Sequence, residues 1–265
     1  MLSYILSKFI KRKIGIMVLK IEHLTGGYAG VPVIKDINLT IKSGQALGII
    51  GLNGAGKSTT IKHILGLLRP QKGKITLNEV SLNKQPTAFK RQVAYIPEVP
   101  VLYPELTLKE HLALIILSYQ LNEEKAWVRA QQLLQLFRLE DKLDWLPVHF
   151  SKGMKQKVMI VAAFLADTDL LVIDEPFTGL DPLAVTNLID LIKEAIATGK
   201  MVLMSTHILA DAEQVISNYA VLNNGEIEVI GSISDIRLHY GLTATDSFDK
   251  IYRILNQEQR HARFS

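Results

Sequence analysis

Cysteine is absent from this chain of 265 residues, which excludes a disulfide framework, a Cys-ligated metal and a thiol nucleophile, and makes the cytosol its natural home. Long hydrophobic runs are lacking too. The most apolar stretches, "LALIILSY" and "VMIVAAFLA", fall well short of the roughly 20 residues a membrane-spanning helix needs, so the chain is not expected to cross a bilayer by itself. A charge excess of one sign is missing once the first residues are set aside. Of 30 Lys and Arg, four (Lys8, Lys11, Arg12 and Lys13) precede Met17 and no acidic residue precedes Glu22, leaving 26 basic against 26 acidic side chains. Without a domain-wide basic surface, nucleic acid is not an expected partner. There is also no internal repeat, no low-complexity segment and no linker that would set off a second domain.

What is present is a globular composition, 48% apolar, with short β-branched runs alternating with longer helical patterns from Val18 onward. The segments "VLKIEHL" and "PVIKDINLTI" alternate apolar and polar residues, as half-buried antiparallel strands do. By contrast "ALGII", "LLVID" and "MVLMS" are continuous apolar runs, which fit parallel strands buried on both faces. Between Val99 and Ala166 the strand signal gives way to three helical segments: "LTLKEHLALIILSYQL", "EEKAWVRAQQLLQLFRL" and the helix after Ser151. Asn224-Gly225 between alternating arms marks a hairpin. The leader "MLSYILSKFIKRKIGI" carries its charge after its apolar part, the reverse of a secretory signal. Residues 1–16 therefore read as a basic and apolar arm, an interfacial helix, or an upstream start to a chain beginning at Met17.

Three stretches carry chemistry. "GIIGLNGAGKSTTIKHIL" matches G-x-x-x-x-G-K-[ST] through Gly51, Gly56, Lys57 and Ser58, between a buried strand and a helix, the context this motif requires. Backbone amides around Gly51, Asn53, Gly54, Gly56 and Thr59 are expected to cradle phosphates, with Lys57 as a point charge and the Ser58 hydroxyl as a Mg²⁺ ligand. The chain is therefore expected to bind ATP or a related triphosphate. "LLVIDEP" ends a buried strand with Asp174 and Glu175, an expensive place for charge unless a cation or a reacting group meets it. In phosphate-loop enzymes the first such acid holds Mg²⁺, and a following carboxylate can polarise the attacking water. "FSKGMKQK" opens a helix at Ser151, a good N-cap. Lys152 and Lys155, however, put positive charge where the helix dipole is already positive, at about 0.3–1 kcal/mol each. Either this is a solvated basic helix end or something negative belongs there.

Together these motifs resemble the ATP-binding subunits of ABC transporters, over about Val18 to Gly231. "GLNGAGKST" is similar to their Walker A, "LLVIDEP" to their Walker B, "GLDP" (Gly179 to Pro182) to their D-loop and "STH" to their switch histidine, His207. "FSKGMKQK" takes the place of their LSGGQ signature, and the phrases "HFSKGMKQKVMI" and "STHILA" are similar to EcsA-type subunits. The resemblance implies an α/β fold: a P-loop NTPase sheet core with an antiparallel β subdomain and an inserted α-helical subdomain at about 99–167. The ATPase domain would then occupy 17–241 and a helical tail 242–265.

The same resemblance implies roles. ATP and Mg²⁺ are the cofactors, with Ser58, Asp174 and Glu98 toward the metal; Glu98 stands where the family usually has glutamine. Glu175 and His207 are the catalytic pair. Tyr28 stacks on adenine, or is an ordinary hairpin aromatic. Ser151 and Gly153 face the γ-phosphate of a second subunit across a dimer, and Lys152, which replaces a family glycine, points toward that phosphate or away to solvent. Asp181 belongs to the D-loop and also reads as an N-cap before a proline at the first helical position. The partners implied are an integral membrane transporter subunit and a second ATP-binding subunit, with the chain peripheral on the inner face of the cell membrane. The alternative is a soluble ABC-type ATPase not engaged in transport, but such proteins usually carry two ATPase domains, a coiled-coil insert or a zinc element, and none is seen here.

Overall fold

The computed structural model describes residues 17–206, 212–243, 246 and 250–264, with side chains of the last segment described to residue 257. His207, the arm of residues 1–16 and parts of the tail expected over 242–265 lie outside the described residues. The first half of the chain runs β1 (Val18–Tyr28), β2 (Val31–Lys42), β3 (Ala46–Ile50), α1 (Lys57–Ile64), β4 (Lys72–Leu77), β5 (Val80–Ser81), α2 (Pro86–Lys90), β6 (Val93–Ile96), α3 (Leu108–Ser118) and α4 (Glu123–Phe137). It continues with α5 (Lys152–Leu165), β7 (Leu170–Asp174), α6 (Pro182–Ala197), β8 (Met201–Ser205), β9 (Asn218–Asn223), β10 (Glu226–Gly231), α7 (Ile233–His239) and α8 (Lys250–Phe264).

Two sheets result. One is antiparallel, in the order β2-β1-β4-β5; the other runs β10-β9-β3-β8-β7-β6, parallel from β9 to β6, with β10 antiparallel at its edge. The continuous apolar reading of the central strands has a direct cause in the packing. Along β3, Leu47 and Ile49 enter the core shared with the antiparallel sheet, while Ala46 and Ile50 enter the core shared with the helices. Alternate residues divide in the same way along β7 (Leu170 and Val172 against Leu171 and Ile173) and along β8 (Met201 and Leu203 against Val202 and Met204). A strand covered on both faces has no polar side to show. β1 and β2 each bury one face, with Leu19 and Ile21 facing the core alongside Leu39 and Ile41, which gives the alternation seen in their sequences.

The three long helices between β6 and β7 begin at side-chain caps. Thr107 forms a capping box with Glu110 at α3, Asn122 accepts from the Lys125 amide at α4, and Ser151 accepts from the Met154 amide at α5. Each such cap is worth about 1 kcal/mol to its helix. The β9-β10 hairpin turns at Asn224-Gly225. At the far end, α8 inserts Ile251 and Leu255, one helical turn apart and each 1% exposed, into the core on the helical side of the parallel sheet. Burial of two such side chains contributes about 1.5–3 kcal/mol each, enough to dock the helix. Among the described residues, no helix is long and apolar enough to cross a membrane.

Candidate active site

β3 delivers the chain to the C-terminal edge of the parallel sheet, and the loop 51–56 turns it into α1. Gly56, immediately before the helix, has φ 110°, a backbone conformation open essentially to glycine. A Cβ there would also lie 2.8 Å from Ile34 Cγ2. The helix has no side-chain cap and no acid in its first turn, so its leading amides are not occupied by a side chain and remain available to an anion. Lys57 is 9% exposed and donates from Nζ to the carbonyls of Gly51 (2.8 Å) and Leu52 (3.2 Å). Burial lowers its pKa, while the carboxylates of Glu175, Asp174 and Glu98, in that order, act to raise it. Three acids, two at the end of β7 and one just after β6, thus bear on one buried ammonium.

Asp174, at the last position of β7, is 6% exposed and accepts a hydrogen bond from Ser205 Oγ at the end of β8. Tyr95 of β6 stands beside it: burial first, then the Asp174 carboxylate, push the phenol well above its usual pKa. Glu175 leaves the strand at once, with φ 48°, and its amide donates to the Ser205 carbonyl at 3.1 Å. The loop carrying Glu98 is held from the helical side, where buried Gln156 of α5 donates to the Pro97 carbonyl at 3.1 Å. Ser205, Tyr95 and Gln156 were not singled out from the sequence, where each reads as an ordinary strand or helix residue.

These elements surround a cleft of about 490 Å³. Its lining includes Gly51, Asn53, Gly54, Gly56, Lys57, Ser58 and Thr59, together with Glu98, Glu175, Val33 and Tyr252. Among the described residues, no three His, Cys, Asp or Glu side chains converge as a ready-made metal cage. Ser58 and Glu98 bring oxygen donors to the cleft lining, and donors of this kind suit Mg²⁺, which is usually held by one or two carboxylates with substrate phosphates and water.

Among the described candidate residues, Asp174 is next to the cleft-lining Glu175 in the chain but is not itself part of the lining, and four others stand apart from the cleft. Tyr28 is 44% exposed at the end of β1, where Lys62 of α1 donates to its hydroxyl at 3.2 Å and sits 5.5 Å from its ring centre, lowering the phenol pKa. Ser151 lies at the start of α5, exposed, with Oγ accepting from the Met154 amide at 3.2 Å. Gly153 packs against the loop before α6: a Cβ on it would meet the Gly179 carbonyl oxygen at 2.7 Å, and the Lys152 methylenes lie across the same glycine. Asp181 caps α6 through the Ala184 amide and pairs with Lys157 of α5 at 2.6 Å, which, ahead of that amide, lowers the carboxyl pKa. The start of α5 and the start of α6 are therefore one packed unit.

The family described as ABC transporter matches residues 34–178. The chain is 49% identical over 241 residues to the ABC-type transporter ATP-binding protein EcsA of Bacillus subtilis, covering 91% of this chain and 97% of that protein. A solved structure of an ATP binding subunit of an ABC transporter is similar with a TM-score of 0.86 at 48% identity, over 90% of this chain and 99% of that one. A dimeric ATP-binding cassette in a post-hydrolysis state, bound to ADP and Pi, is similar with a TM-score of 0.72 at 26% identity, over 81% of this chain and 98% of the other. With an uncapped phosphate-loop helix, an acidic strand end beside it and a capped serine-led helix packed on the following loop, the chain belongs to the ABC transporter family as an ATP-binding subunit.

Proposed function

We propose that this chain hydrolyses ATP with Mg²⁺ and that two copies close around the nucleotide to drive a separate integral membrane subunit, on whose cytoplasmic face they sit. The observation that carries the reading is the buried Lys57 ammonium with Glu175, Asp174 and Glu98 all acting on it. A cation set in the phosphate loop with carboxylates beyond it is what transfer of a terminal phosphoryl group to water requires. In this reading Lys57 and the leading amides of α1 hold the β- and γ-phosphates. Ser58, Asp174 and Glu98 would hold the metal, which supplies charge neutralisation there. Glu175 orients and polarises the attacking water, and His207 is assigned the γ-phosphate contact by resemblance alone.

The pairing of subunits rests on where Ser151 and Gly153 are. Neither lines the cleft of its own chain, yet the Ser151 hydroxyl, whose oxygen is engaged by the Met154 amide, keeps a proton to donate outward. A phosphate held in a second subunit is a suitable acceptor, and it would also satisfy the excess positive charge of Lys152 and Lys155. Tyr28, beside α1, is assigned to the adenine. The solved relative that is a dimer bound to ADP and Pi supports the same arrangement.

Glu175→Gln tests it. Loss of the carboxylate slows hydrolysis while Lys57 and Asp174 continue to hold nucleotide, so size-exclusion chromatography with ATP and Mg²⁺ should show a dimer that wild type does not accumulate. A variant that binds ATP yet stays monomeric, alone and with its membrane partner, would count against the mechanism.

A further inference from the structure

The cleft has one wall that neither the sequence motifs nor the family resemblance supplied. Tyr252 lies on α8, 45 residues beyond the switch position at 207, yet it lines the same cleft as Lys57, Glu98 and Glu175. Its ring is half-buried against the helical-side core, and its hydroxyl donates to the Thr206 carbonyl at 3.3 Å. Thr206 is itself 1% exposed and directly follows Ser205, the residue that donates to Asp174 and whose carbonyl accepts the Glu175 amide. The flanking Ile251 and Leu255 are sunk in the core, so the position of the tyrosine is set by packing and not by the hydroxyl contact alone.

We propose that Tyr252 makes the C-terminal helix part of the nucleotide site, its ring forming a wall of the cleft and its hydroxyl holding the end of β8 in register with Asp174 and Glu175. The inference rests on the ATP-binding reading above. Its consequence is a two-way coupling. If the docked helix sets the position of the strand end that carries the acids' partners, occupancy of the cleft must in turn favour the docked helix, because coupling between two sites is reciprocal. Tyr252 is a positioning residue for hydrolysis and a contact residue for the bound nucleotide. A C-terminal segment outside the sequence motifs then has a direct route to the ATPase rate, available to whatever binds α8.

The absence of cysteine from the chain permits a clean test. Tyr252→Cys places a single thiol on the cleft wall, and Asn256→Cys places one on the exposed side of the same helix. Each is reacted with a maleimide with and without a non-hydrolysable ATP analogue and Mg²⁺, binding of the analogue being established separately by titration with a fluorescent nucleotide. The expected result is labelling slowed at least about fivefold by nucleotide at position 252 and unchanged at 256. Equal rates at 252 with nucleotide demonstrably bound would overturn the inference while leaving the ATP-binding reading intact. Equal protection of both thiols would overturn it too, since it would report general tightening of the helix. A wild-type chain that binds no nucleotide sinks both readings. In parallel, Tyr252→Phe keeps the ring and removes the hydroxyl: kcat, assayed well below the melting temperature of either chain, should fall roughly 2- to 10-fold with KM for ATP unchanged, while the lost hydrogen bond lowers the melting temperature by no more than about 2–4 °C. Wild-type kcat in this variant would overturn the hydroxyl's role, and so would a KM for ATP that changes while kcat does not.

Discussion

Gly153→Ala separates two reasons for a glycine near the start of α5. Helix propensity alone favours alanine over glycine, by up to about 1 kcal/mol in a helix interior. The structure predicts the opposite sign. A Cβ at 153 would stand 2.7 Å from the Gly179 carbonyl oxygen, about 0.7 Å inside ordinary contact, and the obstacle is backbone and not a side chain that can swing away. Relief requires α5 and the loop before α6 to part, which strains the Lys157–Asp181 pair that joins them. Overpacking of this kind costs typically 1–3 kcal/mol. Set against the propensity gain, the net loss is about 1 kcal/mol, or roughly 2–4 °C in melting temperature for a chain of this size. Reversible denaturation of the nucleotide-free protein, in which no phosphate contact contributes, is the assay. A variant more stable than wild type would show that Gly153 is not pressed against the Gly179 carbonyl.

Other consequences follow from the same geometry. Ser205→Ala takes one of two hydroxyl partners, the other being the Tyr95 phenol, from the buried Asp174 carboxylate, at a cost of about 1–3 kcal/mol, so the variant should be less stable and bind Mg²⁺-nucleotide less tightly; unchanged denaturation midpoint and affinity would count against this placing of Asp174. Asp181→Asn keeps a good N-cap but loses the ion pair with Lys157. Because the folded carboxyl has a lowered pKa, its contribution is present above the unfolded value near 3.9 and is lost as pH falls through the lower folded value. The variant should therefore be less stable than wild type by up to about 1 kcal/mol at neutral pH, the aspartate being half exposed, with the difference vanishing once pH has fallen below the folded value; a difference that persists in acid would contradict the assignment.

The parts of this molecule that could be read from sequence are those whose determinants are local. The strand "LLVID" shows itself because both faces are buried, Ser151 because a cap acts over three residues, and the phosphate loop because its glycines and lysine are contiguous. What could not be read depends on distant backbone. Nothing in "FSKGMKQK" reports that Gly153 touches Gly179, because that contact exists only once α5 and the loop before α6 are packed. Ser205 reads as the end of an apolar strand until β8 is set beside β7 and its hydroxyl meets Asp174. Tyr252 reads as one aromatic in an amphipathic tail until Ile251 and Leu255 fix which way the helix docks. The apolar run of β6 contains Tyr95, whose polar end is explained only by the acid beside it.

If ATP is held between the phosphate loop of one chain and the Ser151 helix start of another, two differently disabled variants should restore one working site when mixed. Lys57→Ala lacks the phosphate-loop cation. Ser151→Asp sets a carboxylate where the γ-phosphate would come, yet it preserves the cap and suits the helix dipole, so it should fold; it avoids the Gly153 position, where any side chain would perturb packing within the chain. Each variant alone should be nearly inactive and fail to associate with ATP. A mixed pair has one doubly damaged site and one intact site, made by the sound phosphate loop of the Ser151→Asp chain and the sound helix start of the Lys57→Ala chain. Equal mixing gives about half mixed pairs, hence up to roughly a quarter of wild-type activity if the two sites act independently, together with ATP-dependent co-purification of differently tagged chains. A mixture no more active than its components, with no ATP-dependent association between them, would contradict the account.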